Sequence, residues 1–280
     1  MSAAIFDDRQ CALGEGPLWH PLRRQFFWFD ILGQRLMSRD ASGPLEWVLD
    51  RMASAAACID RDRLLIATET GLAVLHLDSG RLEDLIAVEA DNPATRSNDG
   101  RADRQGGFWF GTMGKSAEAG AGSIYRWYRG QLRRLFTGIS IPNAICFSPD
   151  GRSACFADTA MAQVWRQGLD ADGWPVGERQ VYLDLSPLGQ EPDGAIFDAD
   201  GGFCCALWGE GAVIRFDAKG QETHRYQVGG KHSSCPAFGD QGQMLVTTAL
   251  QGIESPDTHQ GLTYIVTHDL NTLPEPGVVL

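Results

Sequence analysis

Four residues of this chain have the type and setting for chemistry: Glu15, Asn98, Asn143 and Asp193. Each carries a carboxylate or amide oxygen, and three of them sit in apolar or Gly/Pro-rich sequence: Leu13-Gly14-Glu15-Gly16-Pro17, Pro142-Asn143-Ala144-Ile145, Pro192-Asp193-Gly194-Ala195-Ile196. Each also stands five residues before a polar turn. The same offset gives Ala55 and Ser234 at two further turns. Oxygen-only donors suit hard or borderline divalent cations, namely calcium, magnesium, manganese or zinc, and two carboxylates balance a divalent charge. Ordered water is the other partner that could satisfy four converging polar groups in a narrow channel.

The elements that would position these residues form a repeat. Six β-prone runs recur at roughly 40–50 residues, the period of propeller blades. They are Phe26–Asp30, Leu64–Thr68, Phe108–Thr112, Ala154–Thr159, Phe203–Leu207 and Met244–Thr248. A polar turn precedes each, among them Asp103-Arg104-Gln105-Gly106-Gly107 and Ser148-Pro149-Asp150-Gly151, and these read as hairpin connections. Further strand-like segments follow, such as Ser123–Trp127, Gln163–Arg166 and Ala212–Phe216. No long segment has capped helical periodicity. The pattern predicts an all-β, six-bladed β-propeller with four-stranded blades, a single domain over residues 1–280. The first strand of each blade should line the central channel, so residues at the repeated offset should form a ring around the axis. Either the strand near Ala3–Phe6 or the segment Pro276–Leu280 could complete the last blade.

At these positions the chain resembles the gluconolactonase/regucalcin (senescence marker protein) family. The resemblance is carried, in order, by Leu13-Gly14-Glu15-Gly16-Pro17-Leu18-Trp19, Arg96-Ser97-Asn98-Asp99-Gly100, Phe110-Gly111-Thr112-Met113, Ile141-Pro142-Asn143-Ala144 and Pro192-Asp193-Gly194. It implies a six-bladed propeller holding one divalent metal and hydrolysing a sugar-acid lactone. It also implies that Glu15, Asn143 and Asp193 are metal ligands, that Arg96 and Asn98 contact substrate, and that Asp99 lies beside the metal's water. Where some members carry an acidic pair after Gly111-Thr112-Met113, this chain has Gly114-Lys115-Ser116, so the usual substrate preference need not hold.

Lactone opening requires a polarised carbonyl, a nucleophilic water and a stabilised oxyanion. A divalent metal supplies the first and third and acidifies a bound water. Asp193 is the candidate general base, with pure ligation the alternative role. Arg96, Asn98 and Lys115 are candidates for positioning substrate. Gly14 and Gly16 would permit unusual backbone angles and close approach of substrate beside Glu15. Only three lysines are present, and Lys115 and Lys231 should approach the active face; this suggests a lactone with an extra anionic group, against the alternative of a neutral aldonolactone.

The bulk properties narrow the field. A net charge of -12 argues against nucleic-acid and anionic-membrane partners. No transmembrane run and no leader-like N-terminus are visible, so a cytoplasmic protein is expected. Seven cysteines without CxxC spacing read as small buried hydrophobes. P-loop, Rossmann, HExxH and GxSxG signatures are missing. The competing classes are a calcium-binding regulatory propeller without relevant catalysis, a metal-dependent esterase on other substrates, and an interaction scaffold.

Overall fold

The computed structural model describes residues 3–280; Met1 and Ser2, the start of the stretch read for a leader, lie outside them. The described residues form six four-stranded antiparallel sheets. Five sheets are built from consecutive strands, and their innermost strands are Gly14–His20, Ala53–Cys58, Thr95–Ala102, Pro142–Phe147 and Glu191–Phe197. These open blades 1 to 5. Blade 6 begins with His232–Phe238 and is completed on its outer edge by the N-terminal strand Ala4–Asp7. The six runs read from the sequence are the second strands of the six blades, and the polar turns are the hairpins that lead into them. No described helix is long and apolar enough to cross a membrane.

The hydrophobic cores lie in the seams between blades. Phe27, Phe29 and Leu36 of blade 1 meet Leu64, Ile66 and Leu75 of blade 2. Comparable clusters fill the seams from blade 2 to 3, 3 to 4, 4 to 5, 5 to 6 and 6 to 1. Each sheet thus buries both faces, which explains why its second strand reads as a continuous apolar run rather than an alternating one. All seven cysteines are free and buried in this packing.

The question of the two termini resolves by hydrogen bonding. The N-terminal strand pairs with Thr263–Thr267 of blade 6. The C-terminal segment instead crosses the lower end of the channel. Val278 N donates to the Cys58 carbonyl (2.8 Å), and Val279 N to the Gly106 carbonyl (2.8 Å). The Glu275 carboxylate pairs with the Arg101 guanidinium at 3.3 Å, with both side chains nearly inaccessible. Only a remnant of about 10 Å³ persists at that end.

A buried carboxylate ties the closing strand to blade 1. Asp7, at the end of the N-terminal strand, accepts from Arg9 Nε (2.8 Å) and from Arg39 Nε (3.1 Å) of blade 1, while Arg9 also donates to the Leu45 and Ser38 carbonyls. Burial works against ionisation of Asp7, but Arg9 and Arg39 outweigh it and hold the carboxyl below its ordinary range. A depressed carboxyl pKa stabilises the fold above the unfolded value near 4 and loses that contribution as pH falls through the folded value. Asp7→Asn should therefore lower the unfolding free energy at pH 7 by about 2–4 kcal/mol, because it leaves two arginines at the seam without their counter-charge. In urea titrations the difference from wild type should shrink as the pH is taken below about 4; a pH-independent difference would refute the charge explanation.

Candidate active site

The six inner strands share a defect that makes the site. Every one breaks register with its neighbour at the predicted offset: between Glu15 and Leu18, Ala53 and Ala55, Ser97 and Gly100, Asn143 and Cys146, Pro192 and Ala195, and Ser233 and Pro236. A bulge adds an unpaired residue and re-aims side chains, here toward the axis. Gly16 and Gly194 serve this crowding. Gly16 has φ +52° and a Cβ on it would strike the Ser54 carbonyl; one on Gly194 would strike the Cys235 side chain. The glycine beside Glu15 thus admits the neighbouring blade, where the sequence suggested room for substrate.

Glu15, Arg96, Asn98, Asn143 and Asp193 all line one cavity of about 380 Å³ at the upper end of the channel. All five are buried. Ala55 and Ser234 complete the ring of positions without lining the cavity. Asp99 sits apart from the lining. Its Oδ1 accepts from Gly100 N (2.8 Å) and its Oδ2 from Ile145 N (2.6 Å), which places it in the wall between blades 3 and 4. Burial pushes the Asp99 carboxyl up to about 6, against the pull of the Ile145 amide, Arg101 and the Gly100 amide.

A single hydrogen-bond chain orders the polar lining. Arg96 Nη1 donates to Asn98 Oδ1 (2.8 Å), Asn98 Nδ2 to Asn143 Oδ1 (2.9 Å), Asn143 Nδ2 to Thr159 Oγ1 (2.8 Å), and Thr159 Oγ1 to the Pro192 carbonyl (2.6 Å). The chain starts at a group that can only donate and ends at one that can only accept, so the direction of every bond is fixed. It follows that the oxygen of Asn143, not its nitrogen, is turned toward Asn98. Asn98 has both amide protons engaged, since Nδ2 also donates to the Pro142 carbonyl (3.0 Å). It orients its neighbours more than it offers donors to a ligand. Thr159, read from the sequence only as the end of a β-prone run, lines the cavity and locks Asn143.

The carboxylates are the uncompensated part. Asp193 Oδ1 is buried with no hydrogen-bond partner, and Glu15 receives one bond, from Gly16 N (3.1 Å). Burial first, and then their mutual repulsion and that of Asp99, raise the carboxyl pKa of Asp193; Glu15 is raised by burial and Asp99. Arg96 is the one cation opposed to them within the lining, because Lys115 is taken: its Nζ lies 2.6 Å from Glu69 Oε2. Lys231 is exposed and outside the lining. No group of three or more His, Cys, Asp or Glu among the described residues is arranged to hold a metal, so any cation here would depend on the Asn143 oxygen as well as the two acids. That donor set fits a hard divalent ion: all oxygen, two negative charges, one acid oxygen unpartnered.

Six four-stranded blades around a channel, with an acidic, ligand-sized cavity at one mouth, define a β-propeller with its site on the axis. Residues 13–250 match the SMP-30/Gluconolactonase/LRE-like region, and the chain belongs to this family. An L-arabinolactonase of Azospirillum brasilense is 34% identical over 94% of this chain and 91% of its own length. A pentonolactonase of Haloferax volcanii is 32% identical, over 86% and 83% respectively. The crystal structure of a calcium-binding protein, regucalcin, from Agrobacterium tumefaciens superposes with a TM-score of 0.96 at 38% identity, covering 100% of this chain and 98% of that one.

The charge imbalance has a measurable consequence. In metal-stripped protein at pH 8, Asp193→Asn should raise the unfolding free energy by about 1–3 kcal/mol, because it removes a carboxyl that the fold must either bury charged or protonate against its ordinary pKa, and adds an amide able to donate. A thermal melt in which the variant unfolds below wild type would show that Asp193 is already satisfied without a cation.

Proposed function

We propose that the chain opens a neutral sugar-acid lactone to the aldonic acid, with one divalent metal held by Glu15, Asn143 and Asp193. The reaction makes it a carboxylic-ester hydrolase, in keeping with the lactonases among its relatives. The observation that carries the metal is the orphaned Asp193 oxygen facing a cavity whose acids outnumber its available cations. Calcium, zinc, manganese and magnesium all suit the donor set.

A cation held by Glu15, Asn143 and Asp193 would supply Lewis acidity toward the lactone carbonyl and water. Asp193 would take the proton through the carboxylate oxygen that the cation leaves unengaged, as water attacks the carbonyl carbon. Arg96 spends one nitrogen, Nη1, on Ser97 and Asn98, which leaves its remaining donors for ring hydroxyls and the developing oxyanion. Asn98 holds Arg96 and Asn143 in register, and Thr159 fixes the far end of that relay, which lowers the cost of ordering the site on binding. Asp99 anchors the wall through the Ile145 and Gly100 amides.

Metal-stripped wild type should hydrolyse no aldonolactone, recover on addition of at least one of the four cations, and fall by about 10³-fold or more in kcat/KM when Asp193 is changed to Ala. Turnover that survives chelation would overturn the metal; a panel with no turnover but tight calcium binding would favour a regulatory propeller.

Support for a neutral substrate comes from the Glu69–Lys115 pair. Glu69, also bonded to Met52 N, is held in place and cancels the lysine at the mouth. Glu69→Gln should therefore raise kcat/KM for a lactone bearing a carboxylate or sulfonate by about tenfold, the scale of one charge-assisted contact, and leave neutral pentonolactones within about twofold. Wild type that already prefers the anionic lactone would reverse the assignment.

A further inference from the structure

Trp208 and His232 form a stacked pair at the cavity mouth that the hydrolysis as described does not use. Trp208 ends the second strand of blade 5, and His232 begins the inner strand of blade 6, so the pair bridges a seam. Their rings are 4.3 Å apart and 20° from parallel. His232 Nδ1 lies 2.8 Å from the Gln251 carbonyl, which selects the tautomer that donates there and pins the ring. Burial lowers the pKa of His232, so the imidazole stays neutral at pH 7 and stacks without a charge to desolvate. Trp208 is only partly buried and lines the cavity. Arg96, the lining donor with protons to spare, comes from blade 3, which in a ring of six stands across the axis from blade 6, where His232 lies, and two blades from blade 5, where Trp208 lies.

A sugar lactone has two kinds of surface: a rim of hydroxyls with the ester, and ring faces that carry C–H groups. Donors on one side and an aromatic plane on the other match that division. Resting on the lactonase reading above, we propose that Trp208 is the platform on which the C–H face of the lactone ring lies, and that His232 is the positioning residue that holds it flat. Trp208 thus decides which rings bind and takes no part in proton transfer. The platform recognises a closed ring; the open-chain aldonate presents no such face and leaves.

The test compares wild type, Trp208→Ala, Trp208→Phe, His232→Ala and His232→Phe, each reconstituted with metal. Three readouts are taken: KM and kcat on a neutral pentonolactone, inhibition by the corresponding lactam (the same ring with N–H for the ring oxygen), and inhibition by the open-chain aldonate. Trp208→Ala should raise KM and the lactam inhibition constant together by about tenfold, with kcat within about threefold and aldonate inhibition within about twofold. Trp208→Phe should recover most of the loss. His232→Ala should give an intermediate loss that His232→Phe restores, a rescue that a general packing defect would not show. If wild type opens lactones and Trp208→Ala leaves KM and lactam inhibition within twofold, the platform is wrong and the lactonase reading stands. If lactam and aldonate weaken equally, ring recognition is wrong. If wild type opens no lactone with any metal, the reading on which the platform rests falls, and the platform with it.

Discussion

Glu15 and Asp193 are buried at the head of a channel where Arg96 is the one cation within the lining free of a carboxylate partner, and Asp99 adds a third acid in the wall behind them. The rest of the molecule can be understood as the means of holding that unfavourable arrangement. In a low-dielectric channel two like charges either bind protons or find a counter-ion. The fold prevents the easier escape, which is for the side chains to turn away. Bulges aim them inward, seam cores on either side leave no alternative packing, and the Arg96–Asn98–Asn143–Thr159 relay fixes the one neutral oxygen donor beside them. The lower end of the channel is settled differently. There Arg101 and Glu275 pair directly, and nothing is left over for a ligand. Opposite ends of one channel thus differ in whether charge is cancelled from within the chain.

The ring of candidate residues was legible because a blade is a register device. Each inner strand bulges close to the same point before its hairpin, so stepping back five residues from each turn lands on the cavity lining in four of the six blades. What the offset could not convey is the role of each residue. Asn98 and Asn143 look alike in sequence, yet one is spent on its neighbours and the other is held by them. Asp99 lies next to Asn98 in the chain but, because the strand bulges there, points into the wall. Which terminus closes the ring was also hidden, since both are short and apolar and only pairing with the last blade separates them.

A second register went unread. Glu69, Lys115, Thr159, Trp208 and Gln251 all stand at or just beyond the end of a second strand, one from each of blades 2 to 6. Antiparallel pairing returns these ends to the face where the inner strands begin, and four of the five line the cavity. Aligning the ends of the six runs, as well as their starts, would have gathered them. Lys115 was noticed for its charge and its place after a family motif, and Glu69, the partner that cancels it, belongs to a turn one blade away. An ion pair across a seam has no signature at any fixed spacing.

The two registers carry different constraints. A change on an inner strand must keep a bulge, a seam contact and the charge balance at once; a Cβ on Gly16 or Gly194 alone would displace a neighbouring blade. Residues at the second-strand ends face open volume on one side; Lys115 is exposed and Trp208 partly so. They can be exchanged with less disturbance of the core, as loops on a rigid scaffold generally can. A propeller of this kind can keep one set of axial donors while the mouth changes from cationic to neutral to aromatic. The pairing of Lys115 with Glu69 shows how small such a change is: one carboxylate on an adjacent blade converts a basic rim into a neutral one without touching the axial donors. On the proposed reading, bond cleavage is set where substitution is hardest, and the choice of ring and its charge where substitution is easiest.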